Sequence, residues 1–424
     1  MKIIINPSEL TGNVHIIASK SLSHRYLIGA ALSTKPSRIL NVMESNDIDA
    51  TREALRCLGA TINQSRVFGG VPTVKCAVIN AHESGSTLRF LIPLAMCQSV
   101  PVRFTGEGRL PKRSLEVYET MFHQRDVTYN TLSTDNLPVQ VAGPLTAGEF
   151  HIKGDVSSQF ISGMLFALPL LNNASDLIIE PPYESKSYVD LTIETLKAFK
   201  IKIMPTKQGY HIPGNQTYHP VNTVIEGDYS QAAFFIVAAL LNNNPLSIAN
   251  LNPNSIQGDR EILTIIKRMN GHYTFDHHDV LTVFPSSTMG TTIDLANIPD
   301  LGPILMVLAA VSKGQTTFTN IRRLRLKESD RVGAMSSILT QWDVPHTIDD
   351  NIMTIQGIES LSGNQTFDSF NDHRIVMALV IASLKADGPI TITNAQAINK
   401  SYPQFLDIFR ELKGNITFPK EVRQ

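Results

Sequence analysis

Residues 228–241 have the sequence DYSQAAFFIVAALL, in which a short polar start precedes ten consecutive apolar residues. A helix over these apolar residues has no polar face, so the sequence predicts a helix buried in a core. The start contains Asp and Ser, residue types that cap helix N-termini. A membrane-spanning helix needs roughly 18 apolar residues, and this run is the longest in the chain. We therefore expect no membrane span.

The same design occurs six times along the chain. The six starts are Ser19-Lys20-Ser21-Leu22-Ser23, Glu83-Ser84-Gly85-Ser86-Thr87, Ser157-Ser158-Gln159, Asp228-Tyr229-Ser230-Gln231, Asp300-Leu301-Gly302 and Asp372-His373-Arg374. Successive starts are 64, 74, 71, 72 and 72 positions apart, which indicates a repeat of roughly 70 residues. The 18 residues before Ser19 and the 52 after Asp372 together make one more period, so the N-terminus is expected to complete the last unit.

A second helix and a strand are predicted after each first helix. The second helices are expected at residues 47–58, 113–125, 188–200, 260–270, 330–342 and 403–413. Segments rich in β-branched and aromatic residues predict strands at 60–62, 127–129, 201–203, 272–274, 346–348 and 415–418. Shorter strands, such as 102–104 and 316–318, lie between the two helices of a unit. Each unit therefore has the pattern βαβαββ.

One such unit is too small to bury both faces of its sheet, so the units must pack through their helices. We expect an α+β protein of two lobes, each with three units in pseudo-threefold packing around buried helices, as in an inside-out α/β barrel. The lobes are predicted at residues 14–226 and at residues 1–13 plus 227–424, with two hinge strands near Asn13 and Glu226.

Composition excludes several classes of function. The 37 Lys and Arg balance 38 Asp and Glu, so there is no basic footprint for nucleic acid or an anionic membrane. The N-terminal MKIIINP has too short an apolar stretch for a secretion signal, and a cytoplasmic protein is expected. Cys57, Cys76 and Cys97 are odd in number and lack CxxC spacing. We therefore expect three ordinary thiols, with neither a disulfide nor a zinc site.

Cations occur at helix starts, where the positive end of the helix macrodipole disfavours them. They are Lys20, Arg25, Arg89 and Arg374. A solvated surface position is the commoner explanation of any single one. Their recurrence favours anion sites instead, because a helix N-terminus with an added Lys or Arg binds phosphate or carboxylate.

Three further segments concentrate ionisable residues: LKESDR at 326–331, GEGRLPKR at 106–113 and FNDHR at 370–374. The first also fits a capped helix with exposed ion pairs, the second a surface loop, and the third a structural His373. The chain contains no P-loop, Rossmann, HExxH or GxSxG motif. Any reaction would rest on carboxylates, Lys and His as acids and bases, with cations neutralising phosphate charge.

Together these motifs resemble the 5-enolpyruvylshikimate-3-phosphate synthase family over nearly the whole chain. Residues 19–25 are similar to its S-K-S-x-S-N-R motif, with His24 in place of the usual Asn. Residues 84–89, 106–109, 157–160, 327–331 and 371–374 resemble N-x-G-T-x-x-R, G-x-x-R, S-S-Q-F, K-E-[ST]-D-R and N-D-H-R. Glu83 departs from the family's more frequent Asn, and Arg323 from an Asn of one subgroup. We interpret His24 as a neutral change of packing.

The resemblance implies transfer of the enolpyruvyl group of phosphoenolpyruvate to the 5-hydroxyl of shikimate 3-phosphate, on the pathway to chorismate and the aromatic amino acids, without a metal or organic cofactor. By position it assigns shikimate 3-phosphate to Lys20, Ser21, Arg25, Ser157, Ser158, Gln159, Ser185, Asp300 and Lys327. It assigns phosphoenolpyruvate to Lys20, Gly85, Arg109, Gln159, Arg331, Arg374 and Lys400. Both ligands are small molecules, and a monomer is expected.

The resemblance also implies catalytic roles. Asp300 would take the proton of the attacking hydroxyl and Glu328 would protonate the methylene carbon, with Lys20 and His373 in support. An alternative is a transferase acting on UDP-N-acetylglucosamine, which uses a loop cysteine that residues 106–112 lack. A non-catalytic anion-binding module is a second alternative, and the presence of both carboxylates counts against it.

Overall fold

Two kinds of helix alternate along residues 1–419, the part of the chain that this computed structural model describes. Helices that begin at the polar starts are α1 (Lys20–Ala31), α3 (Gly85–Ala95), α5 (Ser158–Ala167), α7 (Tyr229–Leu241), α9 (Gly302–Ala310) and α11 (His373–Ala382). The second helices are α2 (Asn46–Cys57), α4 (Glu116–His123), α6 (Lys186–Ala198), α8 (Ile262–Arg268), α10 (Arg331–Gln341) and α12 (Phe405–Glu411). The alternation that the repeat predicts is therefore confirmed.

The chain folds as two compact units. The first unit comprises residues 1–17 and the chain from Glu226 onward, and the second unit comprises residues 18–225. Asn13, near which a hinge strand was expected, lies in a strand of the first unit. The lobe boundaries 14–226 and 1–13 plus 227–424 stay a prediction, as does the hinge near Glu226. Residues 420–424 lie outside the described residues.

The first helices are buried, as their apolar sequences predict. Every residue of α7, α9 and α11 is buried, and the three helices pack against one another in the first unit. In the second unit α3 packs on α5, and α1 contacts α3 where the His24 ring meets Phe90 edge-on at 6.4 Å between centroids. Burying a side chain such as Phe234 stabilises the fold by roughly 1.5–3 kcal/mol.

Six four-stranded sheets occur in the described chain. The second unit has three of these sheets. The strand order of the first is β14 (Asn222–Val224), β3 (Ser37–Leu40), β5 (Arg66–Phe68), β4 (Thr61–Asn63), and that of the second is β6 (Val78–Asn80), β7 (Val102–Thr105), β9 (Val139–Ala142), β8 (Thr128–Thr131). The strand order of the third is β10 (Glu149–Lys153), β11 (Ser175–Glu180), β13 (Gly209–Ile212), β12 (Met204–Pro205). The first unit has the other three sheets. The strand order of the first is β16 (His272–Phe275), β17 (Leu281–Phe284), β15 (Leu246–Ala249), β2 (Gly12–His15), and that of the second is β18 (Thr292–Asp294), β19 (Gln315–Thr319), β21 (Ile352–Gln356), β20 (His346–Asp349). The strand order of the third is β22 (Gln365–Asp368), β23 (Ile390–Thr393), β1 (Ile3–Asn6), β24 (Asn415–Thr417).

Two features of the strand pairing explain how the repeat closes. Strand β1 pairs with both β23 and β24, so the N-terminus completes the last repeat, as predicted. Strand β2 precedes α1 but pairs with β15 of the first unit, whereas β14 precedes α7 but pairs with β3 of the second unit. In each described sheet one pair of strands is parallel and the others are antiparallel. In four of these sheets a first helix forms the crossover between the two parallel strands, as α3 does between β6 and β7.

Two local predictions need correction. The strand predicted at residues 201–203 is wrong, because the ladder begins only at Met204 and pairs just two residues with β13. Helix α4 begins at Glu116 rather than at residue 113, because Leu110–Lys112 forms a 3₁₀ turn and Arg113 has an extended backbone.

The cysteine prediction is also wrong for two of the three thiols. Cys57 and Cys76 form a disulfide with their Cα atoms 5.0 Å apart, and only Cys97 is free. Cys57 is the last residue of α2, and the segment before β6 is held against that helix end by hydrogen bonds from Thr73 N to Leu58 O and from Lys75 N to Cys57 O. Sequence spacing gives no sign of this pairing. Separately, none of the helices that the structure describes is long and apolar enough to cross a membrane.

Candidate active site

Lys20 lies at the first position of α1, directly after the N-cap Ser19. Its ammonium is 3.0 Å from Oδ2 of Asp47, in the first turn of α2. Both side chains are mostly buried, with 16% and 12% of their surface exposed. The macrodipole penalty on Lys20 is therefore offset in part by a neighbouring carboxylate.

Arg25 is buried one turn further along α1. Its guanidinium donates to Thr192 Oγ1 at 2.8 Å, to Ser21 O at 2.7 Å and to Tyr188 O at 2.8 Å, and it lies over the Phe90 ring. Burial lowers the pKa of Arg25 to about 10. Arg25 therefore stays protonated at neutral pH, and its hydrogen-bond partners, which are uncharged, do not offset its positive charge.

Gln159 joins the N-termini of α3 and α5. Its Oε1 accepts from Arg89 Nη1 at 2.7 Å, and its Nε2 donates to Ser86 Oγ at 2.9 Å. Arg89 also donates to Ser114 O at 3.2 Å and lies over the Phe160 ring. A second buried cation of this unit is thus held by a neutral amide and a carbonyl.

Gly85 begins α3 after the N-cap Ser84. A Cβ on Gly85 would lie 2.7 Å from Nη1 of Arg113, so only glycine lets the guanidinium approach the helix N-terminus so closely. Arg109 is exposed on the loop before this arginine. The carboxylate of Glu83 lies against Gly108 of the same loop, which puts a negative charge beside the chain that presents Arg109.

The remaining predicted residues of the second unit are hydroxyls. Ser157 caps α5, Ser158 is buried in its first turn, and Ser21 is half-buried on α1. Ser185 is buried before α6 with a left-handed backbone at φ 51°, a conformation rare outside glycine. We call the set Lys20, Ser21, Arg25, Gly85, Arg109, Ser157, Ser158, Gln159 and Ser185 the second-unit constellation.

Asp300 is the centre of a charged cluster in the first unit. Its Oδ1 is 2.9 Å from Arg331 Nη1 and 3.5 Å from Lys327 Nζ, and its Oδ2 is 3.0 Å from Arg374 Nη2. Arg374 also donates to Ser230 Oγ at 2.9 Å. One carboxylate, only 23% exposed, therefore faces three cations.

Arg331 and Asp372 form a buried pair. Arg331 donates from Nε to Asp372 Oδ2 at 2.8 Å and from Nη2 to Oδ1 at 3.3 Å. Burial alone would lower the pKa of Arg331, but Asp372 and Asp300 outweigh it and raise that pKa. Burial would likewise raise the pKa of Asp372, but Arg331 holds it below its ordinary value.

Glu328 and His373 form the second pair of the first unit. His373 Nδ1 lies 2.8 Å from Glu328 Oε2, and its ring is buried whereas 19% of Glu328 is exposed. Lys400 donates to Asn371 O at 2.8 Å beside the same helix start. We call Asp300, Lys327, Glu328, Arg331, His373, Arg374 and Lys400 the first-unit constellation.

Glu328, Asp372 and His373 also have the geometry of a metal site, with their ligand atoms within 4.8 Å of one another. Ion pairs and hydrogen bonds account for the cluster without a metal. Asp372 already accepts from Arg331, from Ser329 Oγ at 3.0 Å and from the backbone N–H of Arg374 at 2.9 Å. The contacts of Asp372 are thus those of an ion-pair network.

The structure brings Asp300 of the first unit together with Lys327, Arg331 and Arg374, and it brings Gln159 of the second unit to the start of α3. It also adds residues that sequence reasoning did not assign. Asp47 is missed because an acid in a first helical turn is ordinary, and nothing in the sequence indicates its contact with Lys20. The pairing of Asp372 with Arg331 is missed because Asp372 is also the N-cap of α11, which is a sufficient explanation by itself.

Solved structures with the same fold include the EPSP synthase of Acinetobacter baumannii. It aligns with a TM-score of 0.81 at 23% identity, over 98% of this chain and 100% of that one. The enolpyruvyl transferase NikO of Streptomyces tendae aligns with a TM-score of 0.77 at 16% identity, over 98% of both chains. The fold is therefore that of the enolpyruvyl transferases.

Sequence comparison then defines the family within that class. The family model of EPSP synthase (3-phosphoshikimate 1-carboxyvinyltransferase) matches residues 4–409. The chain is 42% identical over 427 residues to a 3-phosphoshikimate 1-carboxyvinyltransferase of Clostridium novyi, and 44% identical over 418 residues to one of Clostridium kluyveri, with 97% of both chains covered in each case. The chain belongs to the EPSP synthase family, as its motifs predict.

Proposed function

We propose that this chain transfers the carboxyvinyl group of phosphoenolpyruvate to shikimate 3-phosphate and releases inorganic phosphate, as a step of aromatic amino acid biosynthesis. The observation that carries the proposal is the first-unit constellation. There, two carboxylates suited to proton transfer, Asp300 and Glu328, lie among the cations that a phosphorylated substrate requires.

The charge of the substrates fits the two constellations. Two phosphates and two carboxylates carry about five to six negative charges, which need several cations in a site with little water. Lys20, Gly85, Arg109 and Gln159 of the second unit are proposed for phosphoenolpyruvate, together with Arg331, Arg374 and Lys400 of the first. Shikimate 3-phosphate is proposed to bind to Ser21, Ser157, Ser158 and Ser185, together with Lys20, Arg25, Gln159, Asp300 and Lys327.

Asp300 is proposed as the base for the attacking hydroxyl. Its carboxylate is held by Arg331, Arg374 and Lys327. An anionic group that took over these cations would weaken their hold on Asp300, and a carboxylate with fewer cationic partners accepts a proton more readily. Binding of the phosphorylated substrate would therefore prepare the base.

Glu328 is proposed as the acid that protonates the methylene carbon. Its hydrogen bond of 2.8 Å to His373 lets the two groups share a proton inside a buried site. Lys20 is proposed to support the reaction by neutralising negative charge as it develops. No step in this scheme calls for a metal or an organic cofactor.

The alternatives are less well supported. A transferase acting on UDP-N-acetylglucosamine is not favoured, since the related chains are named as 3-phosphoshikimate 1-carboxyvinyltransferases. A non-catalytic module would need neither Asp300 nor Glu328. A cytoplasmic monomer remains our proposal, and light scattering of the purified chain would test its monomeric state.

The decisive experiment measures phosphate release with both substrates and with each one omitted in turn. We expect release only when both are present. Replacing Glu328 by Gln should lower kcat by about 10²–10⁴-fold while shikimate 3-phosphate binding stays near its original strength. Phosphate release that needs only one substrate would refute the transferase, and unchanged turnover of E328Q would remove Glu328 from the mechanism.

A further inference from the structure

His24 has a buried polar environment that a change of packing does not explain. Only 1% of its surface is exposed, and its ring lies edge-on to Phe90. Its Nδ1 is 2.7 Å from Oγ1 of Thr51, on α2. A buried imidazole thus joins the first turns of α1 to the middle of α2.

The contact continues through two more hydroxyls into α3. Thr51 Oγ1 lies 2.6 Å from Thr87 Oγ1, and Thr87 Oγ1 donates to Ser84 Oγ at 2.8 Å. Ser84 is the N-cap of α3, where it also accepts the backbone N–H of Thr87. Four buried side chains therefore form one row from α1 through α2 to the start of α3.

The donors along this row assign the tautomer of His24. Since Thr87 gives its only hydroxyl proton to Ser84, the short contact between the threonines needs the proton of Thr51. With that proton in use, the contact between Thr51 and His24 needs a proton on Nδ1. In a neutral ring this places the lone pair on Nε2.

The surroundings of the ring agree with a neutral His24. Burial, followed by the charges of Lys20 and Arg25, lowers its pKa well below the ordinary value. Nε2 is buried without a hydrogen-bond partner among the described residues, so a proton added there would have no acceptor. Phe90 and Thr51, which contact the ring, carry no charge.

We propose that His24 is a positioning residue, which through Thr51 and Thr87 fixes the start of α1, with Lys20, relative to the start of α3, with Gly85. The main chain of α2 lies against this row, with the carbonyl oxygen of Asp47 at 3.3 Å from Thr51 Oγ1 and 3.4 Å from Thr87 Oγ1, while the carboxylate of Asp47 holds Lys20. This inference rests on the proposed function, which assigns phosphoenolpyruvate to Lys20 and Gly85.

Replacing His24 by Asn or by Gln, whose amides differ in their distance from the main chain, tests the row of hydrogen bonds from His24 to Ser84. The side-chain amide of Asn reaches the place of Nδ1, whereas that of Gln reaches the place of Nε2 and leaves Thr51 without its donor. We expect His24→Asn to keep the KM for phosphoenolpyruvate within about twofold, and His24→Gln to raise it at least about fivefold, the size of one lost buried hydrogen bond. The KM for shikimate 3-phosphate should change less in H24Q, because several serines and Arg25 also bind that ligand.

The two variants distinguish positioning from packing. Gln is closer to His in volume than Asn is, so a packing role predicts that H24Q is the better enzyme and has the higher Tm. Thr51→Val should raise the KM for phosphoenolpyruvate as H24Q does, and combining the two should add little, because both break the same row. Equal KM values for phosphoenolpyruvate in H24N and H24Q would overturn the proposal.

A measurement without substrate separates this inference from the proposed function. In the wild-type chain with ¹⁵N-labelled histidine, the imidazole signal that H24N removes should show a proton on Nδ1 and no titration between about pH 5.5 and 8. A proton on Nε2 alone, or titration in that range, would refute the row. An inactive wild-type chain with the expected signal would refute only the proposed function.

Discussion

In the first unit Arg331 and Arg374 face the carboxylates of Asp300 and Asp372 at 2.8–3.0 Å, whereas in the second unit Arg25 and Arg89 donate to hydroxyl, carbonyl and amide oxygens. Burial alone therefore does not decide how a cation is held. The arginines of the first unit are neutralised by acids, and an anion must compete with those acids to bind. Arg25 of the second unit has neutral partners, which leave its positive charge in place.

This difference suits the two tasks proposed for the two sets. A base and an acid must exchange protons in the first unit, so carboxylates are required there, and Asp300 lies among three cations. In the second unit only binding and, for Lys20, stabilisation of developing charge are proposed, and the neutral partners of Arg25 do not cancel the charge that attracts phosphate. Substitutions that exchange charged and neutral partners should separate these tasks.

The largest expected effect is that of removing the charge of Asp300. Asp300→Asn should lower kcat for phosphate release by about 10²–10⁴-fold, the usual contribution of a positioned general base. Binding of phosphoenolpyruvate should persist or tighten, because Arg331, Arg374 and Lys327 lose a competing carboxylate. Steady-state kinetics with calorimetric binding would measure both. An equal loss of binding and turnover would mean that Asp300 only orders the cations.

The next effect is on stability. Asp372→Asn replaces one of the two acids that face the buried Arg331 by a neutral amide, while Asp300 stays 2.9 Å away, and should cost about 3 kcal/mol in the free energy of unfolding. Chemical denaturation of the wild type and the variant would measure it. The matched control is Asp350→Asn, which breaks the exposed pair with Arg322 and should cost at most about 1 kcal/mol. Equal costs for the two variants would contradict the buried-pair argument.

The pH dependence of the stability difference between the wild type and D372N tests whether the charge of Asp372 causes it. The pKa of Asp372 is lowered in the folded chain, so its contribution is complete well above the unfolded value of about 3.9 and is lost as pH falls through the lower folded value. The stability difference between the wild type and D372N should therefore shrink as pH drops below about 4. A difference that stays constant down to pH 3 would assign the cost to packing.

The fold was predictable from sequence because it repeats. A period of roughly 70 residues with apolar first helices determines six units, and the structure has six sheets in the described chain. The strands with which β2 and β14 pair were not predictable. Strand pairing depends on which sheet edge each short strand meets in the folded chain. The local sequence of a four-residue strand such as β2 does not specify that edge.

The site was predictable residue by residue but not contact by contact. Helix-start cations and family motifs pointed to Lys20, Arg331 and Arg374, and each lies at a helix N-terminus. The partners of these cations, such as Asp47 and Asp372, lie far from them in the sequence. Helix capping and the macrodipole already explain why these acids occur where they do, so their sequence positions do not indicate the contacts. The Cys57–Cys76 disulfide escaped prediction for the same reason.

A smaller effect is expected from giving the second unit an acid. Gln159→Glu places a carboxylate where Oε1 now accepts from Arg89 at 2.7 Å, which imitates the pairing of the first unit. The KM for phosphoenolpyruvate should rise about tenfold, since a charge-assisted hydrogen bond contributes roughly 1.5–3 kcal/mol to the competing state. Gln159→Met, which has neither charge nor amide, is the control for lost hydrogen bonding. A KM for Q159E no higher than that of Q159M would show that neutral partners have no advantage there.

The smallest effect is expected at the ion pair between Lys20 and Asp47 of the second unit. Asp47→Asn removes the charge facing Lys20, but the amide oxygen still accepts from the ammonium, and both side chains retain contact with water. We expect a loss of about 1 kcal/mol or less in the free energy of unfolding, against the larger loss from the same substitution at Asp372, where none of the carboxylate is exposed. The two measurements, made in one denaturant series, compare one chemical change at two degrees of burial. A loss at Asp47 as large as that at Asp372 would mean that Lys20 depends on its acid as Arg331 does, and the contrast between the two units would then not extend to Lys20.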